Sequence, residues 1–171
     1  MGVTQTLYSY GDSMSIEELK QVLSYDQSTG EFTWTDKAPT KVKNKPAIAK
    51  DKLGYVCLKI KGKMYKAHRL AWAFVYGYLP EQHIDHINGN PSDNRIINLR
   101  EATRSLNLQN LKKPRSDNQV GLLGVCKNGS NWRAEIRVDG KKINLGTYPC
   151  PEQAHAAYIN AKRKYHKGCT L

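Results

Sequence analysis

Between Gln82 and Asn110 the chain reads QHIDHINGNPSDNRIINLREATRSLNLQN. This stretch restricts the fold more than any other. HIDHI is strand-like, NGNPSDNR is dense in residues that favour turns, and IINLR returns as a second strand. TRSLNLQN then starts a helix, with Thr103 placed as its N-cap and Leu106 on its inner side. The spacing therefore predicts strand, loop, strand and helix in close succession. Asp85 and His86 fall at the end of the first strand, and Asn107 falls on the helix expected to pack against it. Two readings compete for this stretch. It is a polar hairpin and helix without chemistry, or a site where a His, a carboxylate and an amide oxygen converge on a metal.

At 171 residues the chain can bury one modest core or two small ones, and 39% apolar with 25% charged residues is a globular balance. The formal net charge of +12 favours a polyanionic partner, either nucleic acid or an acidic membrane surface. No apolar run approaches the length of a membrane span, and the first twenty residues lack the basic and apolar regions of a signal peptide. The Met-Gly start with Thr6 satisfies the loose myristoylation pattern, which is short and carries little weight. Cys57, Cys126, Cys150 and Cys169 are scattered without a CxxC pair and read as buried thiols in a reducing compartment. The charge is uneven. Lys41 to Lys66 holds nine Lys against Asp51 alone, and Leu111 to Leu171 holds twelve Lys or Arg against four acids. Two basic zones thus flank a more balanced middle, whether as solvated faces or as binding surfaces.

Outside the central stretch, Ser15 to Glu18 is a capping box, and Ile16, Leu19, Val22 and Leu23 then share a helical face. GEFTW (30–34) is a short strand. The Lys-rich segment that follows, with two prolines and no period, is a loop or arm. Val56, Leu58 and Ile60 alternate on one face of a hairpin turned at Lys61-Gly62, and RLAWAFVYG is a helix stopped by Gly77 and Pro80. Beyond a linker, the last segment reads as three strands and a helix, with turns at Asn128-Gly129 and Asp139-Gly140. Trp132, Ala134, Ile136 and Val138 face one side of the middle strand, and Arg133, Glu135 and Arg137 the other. The helix opens near Pro151 and ends at Gly168. Its stripe of Ala154, Ala157, Tyr158, Ala161 and Tyr165 is apt to cover the Trp132 face. Lys141 and Lys142 follow the second turn and are expected to extend the uncovered basic face, whose shape suits a DNA major groove.

The motifs DHINGN, DNR and NLR resemble the HNH endonucleases of the phage and intron homing type. GVCKNGSNWRAEIRVDGKKINLGTYPCPEQAHAAYINA is similar to the AP2 (ethylene-response-factor type) DNA-binding domain, which often follows such nuclease domains. The resemblance implies an α+β chain: a ββα-metal nuclease core followed by a small three-stranded sheet with a helix. It divides the chain into an N-terminal helix, strand and basic arm (1–53), a nuclease domain with its lead-in hairpin and helix (54–112) and an AP2-like domain (118–171). By the resemblance His86 is the first His of the motif with Asp85 beside it, Asn98 is the central Asn, and Asn107 stands where many members carry a second His. It implies His86 and Asn98 as catalytic residues, Asp85 and Asn107 as metal ligands, double-stranded DNA as substrate, and the cytoplasm of a bacterial host as the setting. A homing role is likewise implied, and no obligate small-molecule ligand is. One site per chain lets a monomer nick, whereas a double-strand break needs a dimer or sequential nicks.

Elementary chemistry supports the same roles. A His can take a proton from the attacking water near neutral pH. Carboxylate and amide oxygens are hard ligands that suit Mg²⁺ or Mn²⁺ better than zinc. Arg95, Arg100 and Arg104 can pair phosphates bidentately. Taken singly, Asp85 is a turn cap and Asn98 an Asx-turn residue; together they favour a nuclease site. His83 is expected to be exposed or to touch substrate, and His68 to order the hairpin-to-helix junction. Arg100 is alternatively a structural ion pair. Trp72, Phe74, Tyr76 and Trp132 are expected in cores. The competing class is a non-catalytic DNA-binding protein on a decayed nuclease scaffold.

Overall fold

The computed structural model describes residues 14–43, 46–47, 49–114 and 117–171. The Met-Gly start and Lys45 of the basic arm lie outside the described residues. The chain forms two compact units, one ending at Ala102 and the other spanning Thr103–Leu171.

The first unit opens with α1 (Ile16–Val22), whose capping box forms as the sequence predicts: Ser15 Oγ accepts from the Glu18 amide, and Glu18 reaches back to the Ser15 amide. The helix is shorter than expected. Leu23 leaves it and begins β1 (Leu23–Tyr25), which pairs antiparallel with β2 (Phe32–Trp34). Leu23 remains buried, so its apolar side chain serves the same core from a strand. Part of the Lys-rich arm is also strand. β3 (Ala49–Lys50) pairs with β4 (Val56–Ile60), which pairs with β5 (Lys63–Lys66). The β4–β5 turn holds Lys61 at φ 45° and Gly62 at φ 82°, the two left-handed positions of a type I′ hairpin. α2 (Ala67–Tyr76) ends where Gly77 adopts φ 78°. Its residues Leu70, Ala71, Trp72 and Ala73 join Leu19, Leu23, Phe32, Leu58 and Ile60 in one core, whereas Tyr76 is exposed rather than buried. Burying each large aliphatic side chain contributes about 1.5–3 kcal/mol. Against this core lies the ribbon of β6 (His83–His86) and β7 (Leu99–Ala102), paired Asp85 to Arg100 and His86 to Leu99. Ile96–Asn98 form a 3-10 turn before β7, so Asn98 sits in a turn and not in a strand.

The second unit starts with α3 (Arg104–Gln109), capped by the Thr103 hydroxyl as expected. The three-stranded antiparallel sheet β8 (Val125–Asn128), β9 (Asn131–Val138) and β10 (Lys141–Tyr148) follows, in the order β10-β9-β8, and α4 (Pro151–Tyr165) covers it. Ala134, Ile136, Ala154, Tyr158 and Ala161 are buried between sheet and helix. Gly124 lets Tyr158 approach: a Cβ there would stand 1.9 Å from its ring. α4 stops at Tyr165, short of Gly168, and Tyr165 is exposed. Lys162, read from the sequence as one of a basic run, is instead buried, donates to the Leu111 carbonyl and lies over the Tyr158 ring. Of the four thiols only Cys57 is buried; the other three are half-buried, and all are free.

Candidate active site

The site is built on the β6–β7 ribbon and the loop between its strands. Strand alternation sends Asp85 and His86 to opposite faces, and both are buried. Asp85 Oδ2 accepts from Arg100 Nε at 3.0 Å and Nη2 at 2.8 Å, a cross-strand charge-assisted pair set by the register. The Asp85 carboxylate is only 6% exposed.

His86 lies in a pocket of rings. His68 meets it edge-on with centroids 5.1 Å apart, and Tyr55 lies 5.8 Å from it and 5.5 Å from His68. His86 Nε2 lies 3.2 Å from Asn94 Oδ1. An amide oxygen only accepts, so with Asn94 in this orientation the contact calls for Nε2 as the donor. Burial lowers the His86 pKa, opposed by the Asn94 bond and by Asp85. Burial, followed by neighbouring His86, pushes His68 down to about 3. With its pKa lowered, His86 is a neutral ring at neutral pH, the form in which an imidazole can accept a proton.

Asn98 braces the loop. Its Oδ1 accepts from the Asn88 amide at 2.9 Å, its Nδ2 donates to the Asp93 carbonyl at 2.8 Å, and its own carbonyl accepts from the Ile87 amide. Asp93 holds Arg95 through Nε at 2.8 Å and Nη2 at 2.7 Å, and these bonds bring its pKa down to about 2. Arg95 stays half exposed, so its outer face can still meet a phosphate. His83 is exposed, as expected. The structure thus gathers Asp85, His86, Asn98, Arg95 and Arg100 in the first unit. Asn107 and Arg104 lie on α3, within the second unit, with Asn107 half-buried and Arg104 exposed.

Sequence reasoning misses Asn94 and Tyr55, and it assigns His68 to the junction alone. Asn94 belongs to the DNR motif, which is the available signal. Its carbonyl accepts from Tyr25 O–H at 2.7 Å, and Gly30 packs beneath it: a Cβ on Gly30, at φ 78°, would stand 2.5 Å from the Arg95 nitrogen and 2.6 Å from the Asn94 carbonyl carbon. Backbone atoms cannot yield as a flexible side chain does. Gly30→Ala is expected to cost about 2–5 kcal/mol from strain and overpacking together, measured by urea unfolding. A loss below about 0.5 kcal/mol, the scale of an ordinary surface change, would show that the loop does not rest on this glycine.

In the second unit, Arg133, Glu135 and Arg137 occupy the β9 face turned away from α4, as predicted. The register places Lys142 opposite Arg137 and Asn144 opposite Glu135. Lys141 pairs with Val138 and so belongs to the α4-covered face, which corrects its assignment to the open basic surface. Consecutive strand residues alternate, so the two lysines cannot share a face. Glu135 accepts from Lys142 at 2.8 Å and lies 3.5 Å from Arg133, and Lys142 is the main reason its pKa is lowered. One acid among three cations leaves the open face positive.

The HNH endonuclease family matches residues 65–109, from the end of β5 through α3. Protein 3.8 of Escherichia phage T7 is 38% identical over 89 residues, spanning 48% of this chain and 73% of that protein. An uncharacterized HNH endonuclease, L560, of Acanthamoeba polyphaga mimivirus is 31% identical over 139 residues, spanning 80% of this chain and 71% of that protein. No solved structure matches.

Proposed function

The chain belongs to the HNH endonuclease family, and we propose that it is a metal-dependent nuclease hydrolysing phosphodiester bonds in double-stranded DNA. The observation that carries this reading is the buried, neutral His86, held by Asn94 at the end of β6 beside Asp85. In this reading His86 accepts the proton of the attacking water, and Asn98 keeps the 87–93 loop in the shape that presents it. Arg95 offers its exposed side to a phosphate.

Among the described residues no three His, Cys, Asp or Glu side chains gather as a metal cluster. The donor chemistry is still suitable, because one buried carboxylate supplemented by amide and substrate oxygens is a sparse, hard set. Asp85 would hold Mg²⁺ or Mn²⁺ in place of its Arg100 partner. The ion, when bound, would stabilise charge on the leaving oxygen. The retained Asp85, His86 and Asn98 disfavour a decayed, non-catalytic scaffold.

The three-stranded sheet with its covering helix is compatible with an AP2-like module, and its open face of Arg133, Arg137 and Lys142 supports DNA binding there. A homing role belongs to the reading through the resemblance, and its mark would be cleavage at one target in preference to random DNA. No described helix is long and apolar enough to cross a membrane.

Plasmid nicking tests the reading. Relaxed circles are expected with Mg²⁺ or Mn²⁺, few with Ca²⁺, and none in EDTA. Asp85→Ala is expected to lower activity and weaken its dependence on added metal, and Asn107→Ala tests the amide ligand expected on α3. Full cleavage in EDTA, or active protein carrying tightly bound zinc, would overturn the metal assignment.

A further inference from the structure

The first third of the described chain holds no residue of the HNH motif, yet it reaches the site through Asn94. The Asn94 side chain is buried, at 2% exposure. Its Nδ2 donates to the Ser92 carbonyl at 3.4 Å, which turns Oδ1 toward His86 Nε2. That choice decides the tautomer, since an amide turned the other way would present a donor and require the bare nitrogen at Nε2. The backbone of Asn94 is held in turn by the β1–β2 hairpin: Tyr25 O–H donates to its carbonyl, and Gly30 lies against the Asn94–Arg95 peptide. Tyr25 stacks on Phe32 at 4.8 Å, and Phe32 meets Phe74 of α2 edge-on at 5.4 Å, so the hairpin is itself fixed to the core.

We infer that the β1–β2 hairpin is part of the catalytic apparatus, acting through Asn94, a positioning residue that fixes the tautomer and ring orientation of His86. The inference rests on the reading of His86 as the general base. A ring held with its hydrogen on Nε2 keeps its basic lone pair on Nδ1, and the wrong tautomer cannot accept the water's proton in that geometry. Removing the Asn94 oxygen therefore affects the reaction after substrate is bound, while the binding surface is unchanged. Tyr25 acts one step further away, by keeping the Asn94 backbone where its amide reaches the ring.

The test is a ¹⁵N spectrum of the histidine rings in the full chain at alkaline pH, where the rings are neutral, paired with steady-state cleavage. Wild type is expected to show His86 with its hydrogen on Nε2. Asn94→Leu, similar in volume, is expected to mix or reverse the tautomer and to lower kcat by about 10²-fold with KM nearly unchanged. Asn94→Asp keeps an acceptor, so the Nε2–H tautomer and part of kcat should return. Tyr25→Phe is expected to lower kcat more modestly, again without a change in KM. A wild-type His86 with bare Nε2, or a Leu variant with unchanged tautomer and kcat, would overturn the inference. If the Leu variant fails to fold, a loss of the tautomer in Asn94→Asp, or wild-type kcat in Tyr25→Phe, would overturn it; retention of the tautomer in the first with lowered kcat in the second supports it. The spectrum needs no cleavage. An inactive wild type with His86 protonated at Nε2 would sink the nuclease reading while leaving the Asn94 hydrogen bond established.

Discussion

His86→Ala is expected to lower the cleavage rate by about 10²-fold or more while leaving DNA affinity nearly intact. The magnitude is that of removing a general base. The separation from binding follows from burial: His86 is 5% exposed, lies among Tyr55, His68 and Asn94, and is not one of the cations available to neutralise phosphates. The pH profile gives a second readout. Burial holds the His86 pKa below its ordinary value of 6.5. In the proposed mechanism the neutral form acts as the base, so wild-type activity is expected to persist as pH falls through 6.5 and to decline only below it, as the ring takes a proton. An Ala variant that cleaves at the wild-type rate at neutral pH would show that another group takes the proton.

Local chemistry is legible in the sequence, whereas burial and non-local pairing are not. Ser15 and Glu18 carry their cap within one turn, and Lys61-Gly62 and Asp139-Gly140 carry their turns in the residues that adopt positive φ. The alternation of Trp132 through Val138 assigns both sheet faces, because period two is a property of a single strand. β1 is hidden because Leu23 fits the helical stripe of Ile16 and Leu19, and its strand exists only through pairing with β2. Lys141 is misplaced by sequence alone because its face depends on the register across the hairpin. Asp85 and His86 are legible as a motif, but the partners that tune them are not. Arg100 reaches Asp85 through cross-strand pairing, and Asn94, outwardly one more turn residue, acquires its role only once it is buried against the His86 ring. The motif thus marks the candidate residues, and the remainder of the first unit holds them through contacts such as Asn94 to His86.

Replacing Arg133, Arg137 and Lys142 together with Ala is expected to weaken DNA binding about a hundredfold at moderate salt and to flatten its salt dependence. Each phosphate that is no longer neutralised takes about 0.9 from the slope of log K against log salt, so three such phosphates would take about 2.7. The three cations share the face of β9 and β10 turned from α4, and Glu135 offsets only one of them. Single changes separate two roles. An arginine that reads a guanine edge should relax specificity by about 1–3 kcal/mol at one position, whereas one that meets phosphate should weaken all sequences alike. Lys141→Ala is the internal control, since Lys141 pairs with Val138 on the opposite face and a change there should alter binding little. Deleting residues 118–171 would cut through the second unit and remove the Gly168–Gln109 and Thr170–Asn110 bonds at the end of α3, so the triple variant in the full chain is the test. The measurement is a salt titration against target and random duplexes. If the triple variant matches wild type in affinity and slope, this face does not meet the DNA; if Lys141→Ala weakens binding as much as Lys142→Ala does, DNA meets the hairpin tip and not the open face.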